Sequence, residues 1–313
     1  MGAHGGVDLR VELGGITLRN PVLVCSGTFG NGREMAAWMD VKELGGVMTK
    51  AVTLAPCAGN PPPRVWETPS GMLNAIGLEN KGLERFLAED LPWLNAMQVP
   101  VWVNVAGFTR EEYVEVSREV SRSGLASALE LNISCPNVKK GGLHFSAEKG
   151  EAARLVSEVK EVSEIPVYVK LSPNTGDIAG FAGAMVRAGA DGISLINTIP
   201  AMAVDVETAR PRLGNVTGGL SGPAVHPVAV RMVWEVAQAV DVPIIGMGGI
   251  WSWMDAAEML MVGADAVAVG TLNFRDPAAA LGVVEGLASF MLRKGYRRVG
   301  DMVDLVHRGR DMP

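Results

Sequence analysis

The chain has 313 residues, 48% of them hydrophobic and 20% charged, with a net charge of −6. That profile fits a globular protein with a sizeable core, and the lack of a basic run argues against nucleic acid as the main partner. Cys25, Cys57 and Cys135 are odd in number and far apart, so they offer neither a disulfide framework nor a metal cluster and suit a reducing cytoplasm.

Residues 1–6 are glycine-rich, carry no basic-then-apolar signal pattern and are expected to be disordered. No apolar run approaches the roughly 18 residues of a membrane span. Residues 8–13 and 16–18 flank Gly14-Gly15 and predict a small hairpin. Short apolar runs then recur at 21–25, 46–50, 101–105, 128–133, 167–171, 192–196, 244–247 and 266–269. They are nearly continuous in apolar residues, as parallel strands covered on both faces should be.

Helices fit between these runs. Thr109-Arg110-Glu111-Glu112 predicts a capping box and a helix to about Ser121, with Gly124 just past its end. Ser252 and Asp255 predict another box, on a helix closing near Gly263. Leu44-Gly45-Gly46, Ala188-Gly189-Ala190-Asp191 and Val262-Gly263-Ala264-Asp265 each precede a strand. They predict a repeated helix-to-strand turn with glycine at positive φ. Eight such units imply an α/β fold, a (β/α)₈ TIM barrel in one domain over 1–313. An open doubly wound sheet is the alternative, but Ser26-Gly27-Thr28-Phe29-Gly30 is not its glycine fingerprint.

Two stretches, 53–78 and 197–222, do not fit the repeating unit and are expected to lie over the C-terminal mouth as loops. Polar residues also gather at the ends of the apolar strands: Ser26, Lys50, Asn104, Asn132, Cys135, Lys170 and Asn197. In a barrel of parallel strands that end carries the chemistry. The two lysines suit an anionic ligand. Gly246-Met247-Gly248-Gly249 and Gly270-Thr271 end the last two strands, where barrels often hold phosphate on backbone N–H groups. The four histidines are scattered and no metal triad is legible. The Cys135 thiolate is then the candidate base, its pKa lowered from about 8.5 by nearby cations.

Several motifs in one order now carry a resemblance. Asn132-Ile133-Ser134-Cys135-Pro136-Asn137, Asn74-Ala75-Ile76-Gly77-Leu78, Val169-Lys170-Leu171-Ser172-Pro173-Asn174, Ile196-Asn197-Thr198 and Gly218-Gly219-Leu220-Ser221-Gly222-Pro223 resemble dihydroorotate dehydrogenase of the class 1 soluble type. The likeness runs from about Leu9 to Gly286. It implies an FMN-dependent barrel that oxidises (S)-dihydroorotate to orotate in pyrimidine synthesis. Cys135 would take the C5 proton, and hydride would pass from C6 to FMN. Substrate contacts would come from Lys50, Asn74, Ala75, Ile76, Gly77, Leu78, Asn132, Asn197 and Thr198. Carboxamides match the alternating donors and acceptors of the orotate ring. FMN contacts would come from Ser26, Lys50, Ala51, Asn104, Asn132, Lys170, Ile196, Gly222, Gly248, Gly249, Gly270 and Thr271. Lys170 would face the flavin edge that becomes negative on reduction. Lys139-Lys140-Gly141-Gly142 would belong to a lid.

The same likeness bears on the electron acceptor. The chain has no dinucleotide fingerprint, no cysteine cluster for an iron–sulfur centre and no N-terminal apolar helix to reach quinone. The stretches 70–78 and 218–223 resemble the B subtype, which implies NAD+ as final acceptor through a partner subunit carrying FAD and a 2Fe–2S cluster. A heterotetramer follows, a homodimer of this chain with two partner chains, and Trp66 and Trp251 are candidate subunit contacts. Competing readings are a fumarate-dependent class 1A homodimer, a tRNA dihydrouridine synthase and a catalytically silent FMN- or orotate-binding barrel. The dihydrouridine synthase would need a basic RNA face, which is not visible.

Overall fold

The computed structural model describes residues 6–133 and 148–309. All eight expected strands form: β1 (Val22–Val24), β2 (Gly46–Met48), β3 (Val101–Val105), β4 (Ala128–Asn132), β5 (Val167–Leu171), β6 (Gly192–Leu195), β7 (Ile244–Met247) and β8 (Ala266–Val269). Each pairs in parallel with the next, and β8 pairs with β1 to close the barrel.

Side chains along a strand alternate between the two faces, so a barrel strand needs apolar residues on both. Val103, Leu129, Leu131 and Val169 join the large core shared with the surrounding helices. Trp102, Ala128 and Tyr168 belong to a separate inner core with Leu23, Met48 and Met247. The Trp102 and Tyr168 rings meet edge-on, with centroids 5.8 Å apart. Leu13 and Leu18, from the hairpin of Val11–Leu13 and Ile16–Leu18, pack into this inner core. One end of the barrel is therefore filled by apolar groups. Two residues further along the same strands, the inner positions turn polar: Asn104, Glu130 and Lys170 follow Trp102, Ala128 and Tyr168. That switch places a polar floor beneath the C-terminal mouth.

The helix starts follow their side chains, with one difference from the sequence expectation. Ser252 and Asp255 make a complete capping box on the helix Trp253–Met261. At the helix Arg110–Arg122, Thr109 accepts from the Glu112 N–H at 3.3 Å, but the Glu112 carboxylate bonds the Phe108 N–H at 2.6 Å. The box is half formed because Glu112 reaches one residue too far back. The helix-to-strand turns also divide. Gly189 and Gly263 take positive φ, at 104° and 109°. Gly45 does not; a Cβ there would lie 2.1 Å from the Asn20 carbonyl oxygen, so close backbone approach demands that glycine.

The two stretches expected as loops contribute strands to a common sheet, with loops around them. Ile199–Ala201, Gly218–Ser221, Gly71–Asn74 and Val65–Thr68 pair antiparallel in that order. One insertion contributes the outer strand Val65–Thr68 and its neighbour, and the other contributes the remaining two. Leu73, Ala75 and Leu213 form a small core of this cap. Among the described residues, no helix is long and apolar enough to cross a membrane.

Candidate active site

Strand ends and cap sheet enclose a cavity of about 370 Å³, within the range of small-molecule sites. The floor comes from Ser26, Asn104, Asn132 and Lys170, and the roof includes Met72, Asn74, Ile76 and Leu220. Parity explains the floor: Lys50 lies two residues past inward Met48, and Asn132 two past Glu130.

The floor is one hydrogen-bonded network. The Lys170 ammonium donates to Ser26 Oγ at 3.0 Å and forms an ion pair with Glu130 at 3.8 Å. Glu130 is fully buried. Its Oε2 accepts from Asn104 Nδ2 at 2.5 Å, and its Oε1 accepts from the Ser194 hydroxyl at 2.7 Å. Asn104 Oδ1 in turn accepts from Asn132 Nδ2 at 3.4 Å, while the Tyr113 hydroxyl holds the Asn132 carbonyl at 2.7 Å. Each polar side chain named in this network has a partner, as burial favours.

Lys50 is more open. Its ammonium lies 3.2 Å from the Glu79 carboxylate, which also meets Arg64 at 3.4 Å. On the roof, Asn74 Nδ2 donates to the Gly219 carbonyl at 3.3 Å. Asn197 Oδ1 accepts from the Thr198 N–H at 2.8 Å.

The ends of β7 and β8 are built by backbone. Gly248 and Gly249 take φ of 126° and 67°. A Cβ on Gly249 would lie 2.6 Å from the Gly222 carbonyl oxygen and 2.8 Å from the His226 Cβ, so no larger residue fits without moving main chain. The Thr271 hydroxyl donates to Ser221 Oγ at 2.8 Å, tying this rim to the cap. The 12-residue helix His226–Ala237 begins beside these glycines, and His226 Nδ1–H donates to the Gly248 carbonyl at 2.9 Å. Such a rim of turning backbone at a helix start suits an anion. Gly249→Val is therefore expected to abolish phosphate-ester binding while the barrel persists. Circular dichroism with FMN titration checks this, and FMN bound as tightly as by the wild type would contradict it.

Cys25 also lines the cavity. Burial pushes its thiol up to about 12, against the pull of the Lys170 charge and with Glu130 adding to the rise. A thiol is a weak nucleophile until ionised. We expect Cys25 to escape iodoacetamide in the native protein at pH 8. Peptide mapping reads this directly, and rapid alkylation at Cys25 would show that the burial argument fails.

Most of the residues singled out in the sequence meet at this cavity. Ser26, Lys50, Ala51, Asn74, Ile76, Gly77, Leu78, Asn104, Asn132, Lys170, Ile196, Asn197, Thr198, Gly248, Gly249, Gly270 and Thr271 all line it. Two do not stand among the lining residues. Ala75 is fully buried beneath the cap, because the alternation of the strand just before it turns its methyl toward Leu73 and Leu213. Gly222 sits one residue behind the lining Ser221, where a Cβ would lie 2.6 Å from the Gly71 Cα. Cys135 and the glycine–lysine stretch after it lie outside the described residues. Glu130 and Ser194 were not legible as site residues. Their one signal is a polar side chain at the inward parity of an otherwise apolar strand.

The model of the dihydroorotate dehydrogenase family matches residues 8–291. The chain belongs to that family. A relative from Geobacillus sp. (strain WCH70), named dihydroorotate dehydrogenase B (NAD(+)), catalytic subunit, is 54% identical over 293 residues, covering 94% of each chain. A relative of the same name from Geotalea daltonii is 50% identical over 296 residues, covering 95% of this chain and 97% of the other. A crystal structure of DHODH from Eimeria tenella in complex with ferulenol superposes with a TM-score of 0.82 at 23% identity, covering 96% of this chain and 89% of that one. At that identity the likeness supports the barrel fold. The barrel thus agrees with the fold that the motifs first suggested.

Proposed function

We propose that this chain is the FMN-binding catalytic subunit of a cytoplasmic enzyme that oxidises (S)-dihydroorotate to orotate in pyrimidine synthesis, with NAD+ as final acceptor. The observation that carries this reading is the joining of two lysines and several carboxamides at one cavity whose far rim includes Gly248 and Gly249, where a side chain would collide with its neighbours. The family and the relatives' names support it.

The residues present fit FMN. Gly248, Gly249, Gly270 and Thr271, with Gly222 behind them, would hold the phosphate end. Ser26, Lys50, Ala51, Asn104, Asn132, Lys170 and Ile196 would hold the ring. The chemistry that FMN supplies when bound is acceptance of hydride from substrate C6.

The chain's own residues do the rest. Cys135 takes the proton from C5, which is acidic because it lies α to a carbonyl; loss of that proton and of the C6 hydride leaves the C5–C6 double bond. A thiolate is better matched to this task near neutral pH than a hydroxyl. Lys50 is a cation for the substrate carboxylate, and substrate binding then competes with Glu79 for its ammonium. Asn74, Asn132 and Asn197 offer both donors and acceptors to the ring edge. The apolar roof side chains Met72, Ile76 and Leu220 cover the cavity and keep water from the reacting carbons.

Electrons leave, in this reading, through a partner subunit holding FAD and a 2Fe–2S cluster, in a heterotetramer around a homodimer of this chain. The relatives' designation as catalytic subunits supports a partner. Trp66, on the outer strand of the cap with the Arg212 guanidinium 4.3 Å from its ring centroid, and Trp251, with Arg275 5.8 Å away, are offered as contact points. An acceptor assay tests this. The chain alone should reduce neither NAD+ nor fumarate at speed, and NAD+ reduction should appear when an iron–sulfur flavoprotein subunit is added. Rapid turnover with fumarate alone would instead assign the class 1A reaction.

A further inference from the structure

We propose that Glu130 is a positioning residue that sets both the amide orientation and the charge of the cavity floor. This rests on the FMN-binding reading above. The carboxylate stands one layer below the cavity and is not among its lining residues. It nevertheless bonds Asn104 and pairs with Lys170, both floor residues, and is held by Ser194.

The first consequence is orientation. A carboxylate has only acceptor oxygens, so Asn104 must turn its Nδ2 down to Glu130 Oε2, at 2.5 Å. Its Oδ1 is then left for Asn132, whose Nδ2 donates to it at 3.4 Å. One buried carboxylate thereby fixes which end of each floor carboxamide faces which neighbour. For ligands that alternate donors and acceptors, a flipped amide places like against like and weakens binding.

The second consequence is charge. Lys170 carries a buried cation at the floor, and Glu130 is its ion-pair partner at 3.8 Å. In a low-dielectric interior that partner offsets much of the positive field that Lys170 presents to a bound ligand. Ser194 and Asn104 hold the carboxylate in place from two other strands. The floor is therefore weakly, not strongly, cationic.

Two substitutions separate these effects. In Glu130→Gln, the new Oε1 can accept from Asn104 and the new Nε2 can donate to Ser194, whose hydroxyl rotates to accept. Orientation is kept and the negative charge is lost. The midpoint potential of bound FMN, read by anaerobic dithionite titration against an indicator dye, should rise relative to the wild type. A residue with a purely structural role would leave it unchanged, and an unchanged potential overturns the charge assignment. Glu130→Met removes the acceptor as well. Relative to Glu130→Gln, it should weaken orotate binding to the FMN-loaded protein by about 5–150-fold, the equivalent of 1–3 kcal/mol. Equal affinity in the two variants overturns the orientation claim. Should Glu130→Met fail to fold, the Glu130→Gln potential still decides the charge assignment, and the orotate affinity of Glu130→Ala, which removes the acceptor with less bulk, decides the orientation claim by the same comparison. The potential needs only bound FMN, so a wild type that dihydroorotate does not reduce would defeat the functional reading and leave this test intact.

Discussion

Cys135→Ala is expected to retain FMN and to lose flavin reduction by dihydroorotate, by about 10²–10⁴-fold, the usual value of a positioned general base. The residue follows Asn132 by three positions, and Asn132 lines the cavity from the end of β4. Cys135→Ser should keep a little activity that rises with pH, because a hydroxyl needs more alkaline conditions to act as a base. Stopped-flow absorbance of the flavin under anaerobic conditions measures both. Reduction by the alanine variant at near wild-type speed at pH 7 would remove Cys135 from the mechanism. Cys25 is no substitute base, since burial holds its thiol at about 12.

Lys170→Ala is expected to act on both stability and the cofactor. Lys170 is almost wholly buried and pairs with the fully buried Glu130. Removing the cation leaves a buried carboxylate without its counter-charge, which typically costs 3–5 kcal/mol; the Asn104 and Ser194 bonds to Glu130 favour the lower end, about 3 kcal/mol. Denaturant unfolding of the FMN-free protein measures the loss. The double variant with Glu130→Gln should recover most of it, since the orphaned charge is then gone. In the loaded protein the flavin potential should fall, opposite to the rise expected for Glu130→Gln alone. Full stability in the single variant, or an unchanged potential, would contradict this picture of the floor.

The barrel was legible because its strands are short apolar runs bounded by glycine, proline or polar residues, and parallel strands covered on both faces need such runs. The polar strand ends were legible for a related reason: Lys50, Asn104 and Lys170 each break an apolar run where it stops. The cap sheet was not. Its strands carry Gly71, Gly218 and Gly219, which lower β-propensity, yet the packing demands them. A Cβ on Gly219 would lie 1.9 Å from Thr198 Oγ1, and one on Gly71 would lie 2.0 Å from the Ser221 carbonyl oxygen. Pairing between two insertions more than 140 residues apart also leaves no local pattern, as the Asn74–Gly219 bond illustrates. Glu130 escaped notice for the opposite reason. It sits within Ala128-Leu129-Glu130-Leu131, where a single charge looks like a tolerated exception, and its partners Asn104, Lys170 and Ser194 come from three other strands. Only closure of the barrel brings them together. Ala75 shares its motif with residues that line the cavity, but strand alternation turns its methyl into the cap.

The central claim is that the cavity binds FMN and passes it electrons from dihydroorotate. The most direct test is an anaerobic titration of the purified, FMN-loaded chain with dihydroorotate, following the flavin absorbance and the orotate formed. The account predicts that the yellow colour bleaches and that one orotate appears for each flavin reduced. A flavin that stays oxidised with dihydroorotate in excess, while dithionite reduces it, would contradict it.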